Sequence, residues 1–233
     1  EMDHVYQNAF EGVSYDYLYD REWEPDQEWP LSELVSSINS NRYQWISHSG
    51  HSSLTHGLKM YNDDVALLNN SEYFFVNTTG CYSGSFDNRR GNRQFSSSDS
   101  IAEVLTNGYP DRGAFAMIAN SRYGWYTYRG MGASAKFMTI FSKKVSQKGY
   151  NRVGEALYVA KRDTSSYWVR FETNLLGDPV TQFFDLPVPC NEFNASNDQH
   201  VAEGRAEKNT TQGWWWSPGE TKYTAVGSGD DLG

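Results

Sequence analysis

Apolar residues recur at helical spacing in four stretches of the chain and cluster in short strand-like segments in three others. Leu31, Leu34, Val35 and Ile38 stand at i, i+3, i+4 and i+7, behind Pro30, whose missing N–H costs nothing at a first helical position. Ile101, Val104 and Leu105 follow a capping box of Ser100 with Glu103 and stop at Asn107–Gly108. Phe137, Ile140, Phe141 and Val145 line a third helix closed by Gly149, and Val153, Ala156, Leu157 and Ala160 a fourth. A shorter helix is expected around Asp63–Leu68. Tyr43–His48 reads as a short strand and the runs Tyr73–Asn77 and Gly113–Asn120 as buried strands, with a further strand expected at 181–185 after a turn fixed by Asp178. Strands that alternate with helices predict an α/β fold with a mostly parallel sheet covered by helices.

Three regions differ in character. Residues 1–29 hold Tyr, Asp, Glu and Trp without a period and read as an irregular lead-in anchored by Trp23 and Trp29. Residues 30–186 carry the alternating elements. Residues 187–233 are rich in Gly, Asn, Thr and charge and read as an extended tail, with Trp214–Trp216 and Tyr223 able to dock and a strand expected around Lys222–Val226. Only 38% of the chain is hydrophobic but 15% is aromatic, so the core must be built from large rings.

The formal charge is −9, from 29 acidic against 20 basic residues, and such a surface repels phosphate backbones; nucleic acid is not an expected partner. No stretch supplies the ~20 apolar residues of a membrane helix, so no membrane span is expected, and the first ten residues lack the basic start and apolar run of a signal peptide. Export, if it occurs, depends on a signal further upstream. Sequons at Asn69, Asn77, Asn194 and Asn209 permit glycosylation of an exported chain, which is expected to be extracellular or at the cell surface. The two cysteines do not make a disulfide framework. Cys81 lies in NTTGCYSGSFD and Cys190 in LPVPCN; Cys190 is expected to be neither catalytic nor bonded to Cys81.

In an open parallel sheet, reactive groups gather beyond the carboxyl ends of the strands. His51 follows the strand 43–48 and Cys81 follows 73–77, so neighbouring strands bring an imidazole and a thiol to one substrate. A thiol needs a base to become a nucleophile, and the same base can protonate a leaving amine. On spacing alone His48 serves as well as His51. Gly80, Ser83, Gly84 and Ser85 leave room for a carbonyl to approach backbone N–H donors, including that of Cys81. Zinc bound by His48, His51, His56 and Cys81 is the competing chemistry, but these residues lack the ligand-pair spacing of known zinc motifs.

SHSGHSS, then FFVNTTGCYSGSFD about thirty residues later, then SIAEVL, GAFAMIANSRYGW and NLLGDP, together resemble the gingipain family of cysteine peptidases in the caspase and legumain clan, over roughly residues 14–185. The resemblance implies a caspase-like three-layer sandwich, cysteine endopeptidase activity on protein or peptide substrates, and no required cofactor. It assigns His51, after Gly50, as the catalytic imidazole and Cys81, after Gly80, as the nucleophile. His48 then becomes a structural hydrogen-bonding residue. The backbone of Cys81 and Ser52 would form the oxyanion hole, Ser52 standing where the family commonly has Gly. Trp125 would wall the substrate pocket, with Ser121 and Arg122 of the same segment beside it. Arg122 can pair with an acidic substrate side chain or act as a stacked structural residue. Calcium as a structural ion would draw on Asp63, Asp64, Asp87 and Asp178, which serve equally as solvated caps and turns.

Members of the clan carry at least two β–α units before the His-bearing strand, and only about forty residues precede it here. The resemblance therefore implies the C-terminal part of a catalytic domain with its N-terminal strands missing, and a sheet completed by an N-terminal fragment of the same precursor or by a neighbouring subunit. The resemblance also implies that the carboxylate which orients the imidazole in gingipains would lie upstream of these residues, so none is assigned to it here. The competing class is a structural or surface-assembly module that keeps the fold without using catalysis.

Overall fold

The computed structural model describes residues 14–22 and 28–183, four positions between 5 and 10, position 202, and the backbone of 206–210 and 221–225. The chain divides into two compact units, Glu1–Phe184 and Asp185–Gly233. In the second, β7 (Ala206–Thr210) pairs antiparallel with β8 (Thr221–Ala225), the latter close to the strand expected there. Trp23, Cys190, Asn194, Phe184 and Trp214–Trp216 lie outside the described residues, as do the side chains of Asn209 and Tyr223.

The first unit is a three-layer α/β sandwich. Its sheet contains β1 (Trp45–His48), β4 (Phe74–Thr78), β5 (Ala114–Asn120) and β6 (Thr173–Gly177) in that spatial order. β1 and β5 run parallel to β4, and β6 runs antiparallel to β5. Between β1 and β4 lies a two-residue hairpin of β2 (His56–Gly57) and β3 (Met60–Tyr61), whose turn residues Leu58 and Lys59 both have positive φ, as a tight primed turn requires. The helices that pack on the sheet include α1 (Leu31–Asn39), α2 (Ile101–Asn107), α3 (Ala133–Lys148), α4 (Val153–Asp163) and α5 (Tyr167–Glu172). Within the lead-in expected to be irregular, Val5, Gln7 and Ala9 are helical and Asp20–Glu22 forms a 3-10 turn. No helix among the described residues is long and apolar enough to cross a membrane.

Alternation along the strands builds two cores. Phe74, Val76, Met117 and Ala119 face α1 and α2 through Leu34, Ile38, Ile101 and Leu105. Phe75, Ala116 and Ile118 face α3, α4 and α5 through Phe137, Phe141, Val153, Leu157 and Val169. Ala114 and Met117 share a face although three residues apart, because Phe74 pairs with Ala114 but Phe75 with Ala116: one extra residue in β5 resets the alternation. The second core contains a cluster of rings. Trp45, Phe75, Phe141 and Phe183 lie within 4.7–5.9 Å of one another by centroid, and burying each contributes roughly 2–3 kcal/mol.

The local signals hold. Ser100 Oγ accepts the Glu103 N–H while Glu103 accepts the Ser100 N–H, and Gly149 closes α3 in the left-handed conformation at φ 71°. Pro30 sits one position earlier than expected, at the cap of α1. The short helix is a 3-10 turn over Asn62–Leu67. The strand expected at 181–185 is corrected: the fourth strand is β6, and within 181–183 only Gln182 makes a bridge, to Arg152, while Phe183 turns into the ring core. Asp178 does fix a turn, accepting the Val180 N–H, but the turn follows the last strand of the sheet. α5 and the β2–β3 hairpin have no forerunner in the sequence pattern.

Candidate active site

The last residues of β1 and β4, His48 and Thr78, are paired in register, so the residues three positions on, His51 and Cys81, leave the sheet side by side. The pairing runs one step further, with the Thr79 N–H donating to the His48 carbonyl at 3.0 Å and Thr79 Oγ1 to Ser49 Oγ at 3.4 Å. The two turns then pack on each other. A β-carbon on Gly80 would lie 1.9 Å from Ser52 Oγ and 2.5 Å from Ser52 Cβ. The residue before the thiol and the residue after the imidazole are therefore in contact. Behind them α2 begins: its Ile101 and Ala102 N–H groups donate to the carbonyls of Leu54 and Ser83, joining both turns to one helix end.

Cys81 is half-buried and reduced. Tyr82 follows it at φ 57°, a left-handed conformation costly for a non-glycine residue and held here by its N–H bond to the Arg122 carbonyl and its ring contact with Tyr123. Such a turn lifts the preceding side chain out of the loop. The Gly124 N–H meets Cys81 Sγ at 3.2 Å, a donor that a thiolate accepts more strongly than a thiol. Gly124 is needed for this approach, because a β-carbon there would lie 1.8 Å from the Thr79 carbonyl oxygen.

Asn120, at the end of β5, is a member of the candidate site with no signal in the sequence pattern. Its Nδ2 donates to the Gly80 carbonyl at 3.2 Å, and its Oδ1 accepts the Thr173 hydroxyl at 2.9 Å. Carbonyl and N–H of a trans peptide point to opposite sides, so holding the Gly80 carbonyl inward aims the Cys81 N–H away from the protein. Among the described residues neither the Cys81 nor the Ser52 N–H donates a hydrogen bond, although the N–H groups of Thr79, Gly80, Tyr82, Ser53 and Gly84 all do. Both donors expected for an oxyanion hole are thus unclaimed.

The two histidines differ sharply. His48 Nδ1 and Thr78 Oγ1 are 2.7 Å apart, and Thr78 Oγ1 also accepts the Gly80 N–H at 3.0 Å. On its other side a β-carbon on Gly50 would lie 2.7 Å from His48 Nε2. His48 therefore braces both turns. Removal from water, then the charges of His56, Lys59 and His51, hold its pKa down to about 4, so it is neutral at ordinary pH. His51 is exposed, and among the described residues no carboxylate is bonded to it.

The segment after β5 closes the site. Pairing of Asn120 with Thr173 carries α5 to this end of the sheet, where the Ser121 N–H and hydroxyl both donate to the Glu172 carbonyl. Trp125 is exposed, and its indole Nε1 donates to Glu172 at 2.9 Å. Arg122 forks onto Asp87 at 3.1 and 2.7 Å and also reaches Ser85. It pairs with a carboxylate of its own chain, which lowers the Asp87 pKa to about 2 and locks the 85–89 loop to this segment. Of the other acids considered for calcium, Asp64 accepts the Tyr61 N–H, Asp178 accepts that of Val180, and Asp63 is exposed. Among the described residues no group of three His, Cys, Asp or Glu is placed to hold a metal. The Asn77 sequon is buried within β4, where Asn77 accepts the Ser47 hydroxyl, whereas Asn69 is exposed.

Along the free side of β1 runs a groove of about 670 Å³, floored by Trp45–His48, walled by α1 and by residues 15–20, and opening at Gly50 and His51.

The family model described as peptidase family C25, the gingipain family, matches residues 3–184. No curated protein and no solved structure is matched by the chain.

Proposed function

Because the chain belongs to peptidase family C25, whose members are cysteine peptidases, we propose that it cleaves peptide bonds as an endopeptidase with Cys81 as nucleophile and His51 as acid and base. The observation that carries this reading is the orientation of the Gly80–Cys81 peptide, with its carbonyl held by Asn120 and its N–H turned outward beside the sulfur. The Cys81 thiolate attacks the substrate carbonyl, forming the C–S bond. The Cys81 N–H, with that of Ser52, receives the negative oxygen. His51 passes its proton to the leaving amine as the C–N bond breaks, and then takes a proton from the water that hydrolyses the thioester. Thiol chemistry of this kind draws on protein groups alone.

The experiment is a comparison of three variants on a peptide substrate. Cys81→Ala and His51→Ala abolish turnover and keep the fold, while His48→Ala retains part of the turnover and loses stability. Turnover by a clean Cys81→Ala preparation overturns the reading; an inactive His48→Ala beside a normal His51→Ala transfers the catalytic role to His48.

Two further elements belong to this reading, the first supported by the side of β1 that is unpaired among the described residues. A strand from an N-terminal fragment of the same precursor, or second to it from a neighbouring subunit, adds to that edge, since open edges recruit other chains. The chain works outside the cell or at its surface, where the exposed Asn69 sequon can carry sugar. The absence of a carboxylate on His51 among the described residues favours the alternative, a structural module that keeps the fold but not the chemistry. Labelling of native Cys81 by an active-site alkylator separates the two: a thiol no more reactive than in unfolded protein supports the structural module.

A further inference from the structure

α5 is built against the usual rule for a surface helix. Of its six residues only Val169 is buried, whereas Tyr167, Trp168 and Phe171 are 62%, 55% and 61% exposed. These rings do not hold the fold, yet they are ordered against one another. Trp168 stacks on Trp125 at 6.2 Å and 23°, Tyr167 meets Trp168 edge-on at 5.4 Å, and Tyr167 lies 4.6 Å from Phe171. The result is a continuous row of exposed rings, a contiguous apolar patch rather than singly scattered surface hydrophobics, which is what calls for a partner.

The row begins at the candidate nucleophile. Gly124, whose N–H touches Cys81 Sγ, precedes Trp125, and Glu172 at the end of α5 fixes Trp125 through its indole N–H and Ser121 through its carbonyl. The Asn120–Thr173 pairing holds this helix end against the strand that positions the Cys81 turn. The nearest charged groups are engaged, Glu172 with Trp125 and Arg170 with the Thr164 carbonyl, so the surface offers flat apolar area and little else. Ring-to-ring steps of 4.6–6.2 Å are comparable with the ~7 Å that separates alternate side chains of an extended peptide.

We propose that Trp168, Tyr167 and Phe171 extend the site beyond Trp125 into a subsite for large apolar side chains, aromatic or leucine-like, of a polypeptide lying extended next to its scissile bond. This rests on the peptidase reading for the identity of the occupant, and continuity with Cys81 is what singles out the substrate over other apolar partners.

Binding tests it without relying on turnover. Full-length Cys81→Ala protein is titrated with fluorescent hexapeptides in which one Phe is moved through a Gly/Ser background. At one or two positions Phe should tighten binding at least about tenfold, the loss expected when a well-seated aromatic contact is removed. Trp168→Ala, and separately Phe171→Ser, should erase that preference while leaving the melting temperature unchanged, because neither ring is in the core. Equal binding of Phe and Gly/Ser peptides, or a preference that survives Trp168→Ala, overturns the subsite. So does a dimer of the parent chain that Trp168→Ala converts to monomer, which would assign the row to a second copy. Hydrolysis is read separately in the Cys81 chain: failure there with the Phe preference intact sinks the peptidase reading and upholds the apolar peptide subsite.

Discussion

Gly80 has no room for a side chain. A methyl there would meet both Ser52 Oγ and Ser52 Cβ, and turning the serine hydroxyl away relieves only the first of these collisions. Gly80→Ala should therefore push the Cys81 turn off the His51 turn, and displacement of a reacting group by about 1 Å costs on the order of a hundredfold in rate. Removing Ser52 at the same time should restore much of the loss, so kcat/KM is expected to fall strongly in Gly80→Ala and to recover in the Ser52→Gly, Gly80→Ala pair. No recovery in the double variant would mean that the two turns do not act as one unit. The juxtaposition of the turns that carry His51 and Cys81 was legible in the sequence because each turn of small residues follows a strand, and the structure pairs those strands as neighbours. Asn120 and Glu172 were not, because their work is done on Gly80 and Ser121, forty and fifty-one positions away, and no local pattern records such a partner.

Elements show the same division between local and distant causes. α2 and α3 could be read because the Ser100–Glu103 box and Gly149 solve local problems of unsatisfied helix ends. α5 could not, because a six-residue helix with one buried side chain has no period, and β6 could not, because the paired side chains of a half-exposed edge strand resemble a loop. The end of β1 carries a pH prediction. His48 takes up a proton near 6.5 in an unfolded chain but only near 4 in the folded one, so between these values the unfolded state binds more protons. The stabilisation is complete above pH 6.5 and is lost as pH falls to 4, amounting to about 3 kcal/mol at most. Denaturant unfolding at stepped pH should show this acid limb in the parent and a flatter one in His48→Gln. An unchanged limb would place its origin in other groups, Asp87 acting only lower, between its ordinary 3.8 and about 2.

For the whole molecule, β1 and β6 are the two edges of the sheet among the described residues. β6 ends it on one side, while β1 faces the groove of about 670 Å³ on the other. The native particle is therefore expected to contain more than one polypeptide, and light scattering with denaturing electrophoresis of the same fraction checks this; a stable monomer of this chain alone would show that its own lead-in suffices. The parallel order of β1, β4 and β5 could be inferred from the alternation of strands and helices, whereas the reversal at β6 could not, since it arises from α5 returning the chain to the site end. Phe183 has one more effect. It is the last described residue of the first unit, yet it stacks on Trp45 and meets Phe75 and Phe141, rings laid down as much as 138 positions earlier. During synthesis those rings emerge without their cover, and the face they form must wait for nearly the whole unit to leave the ribosome before it is sealed, a vulnerable interval in which holding chaperones would find their target.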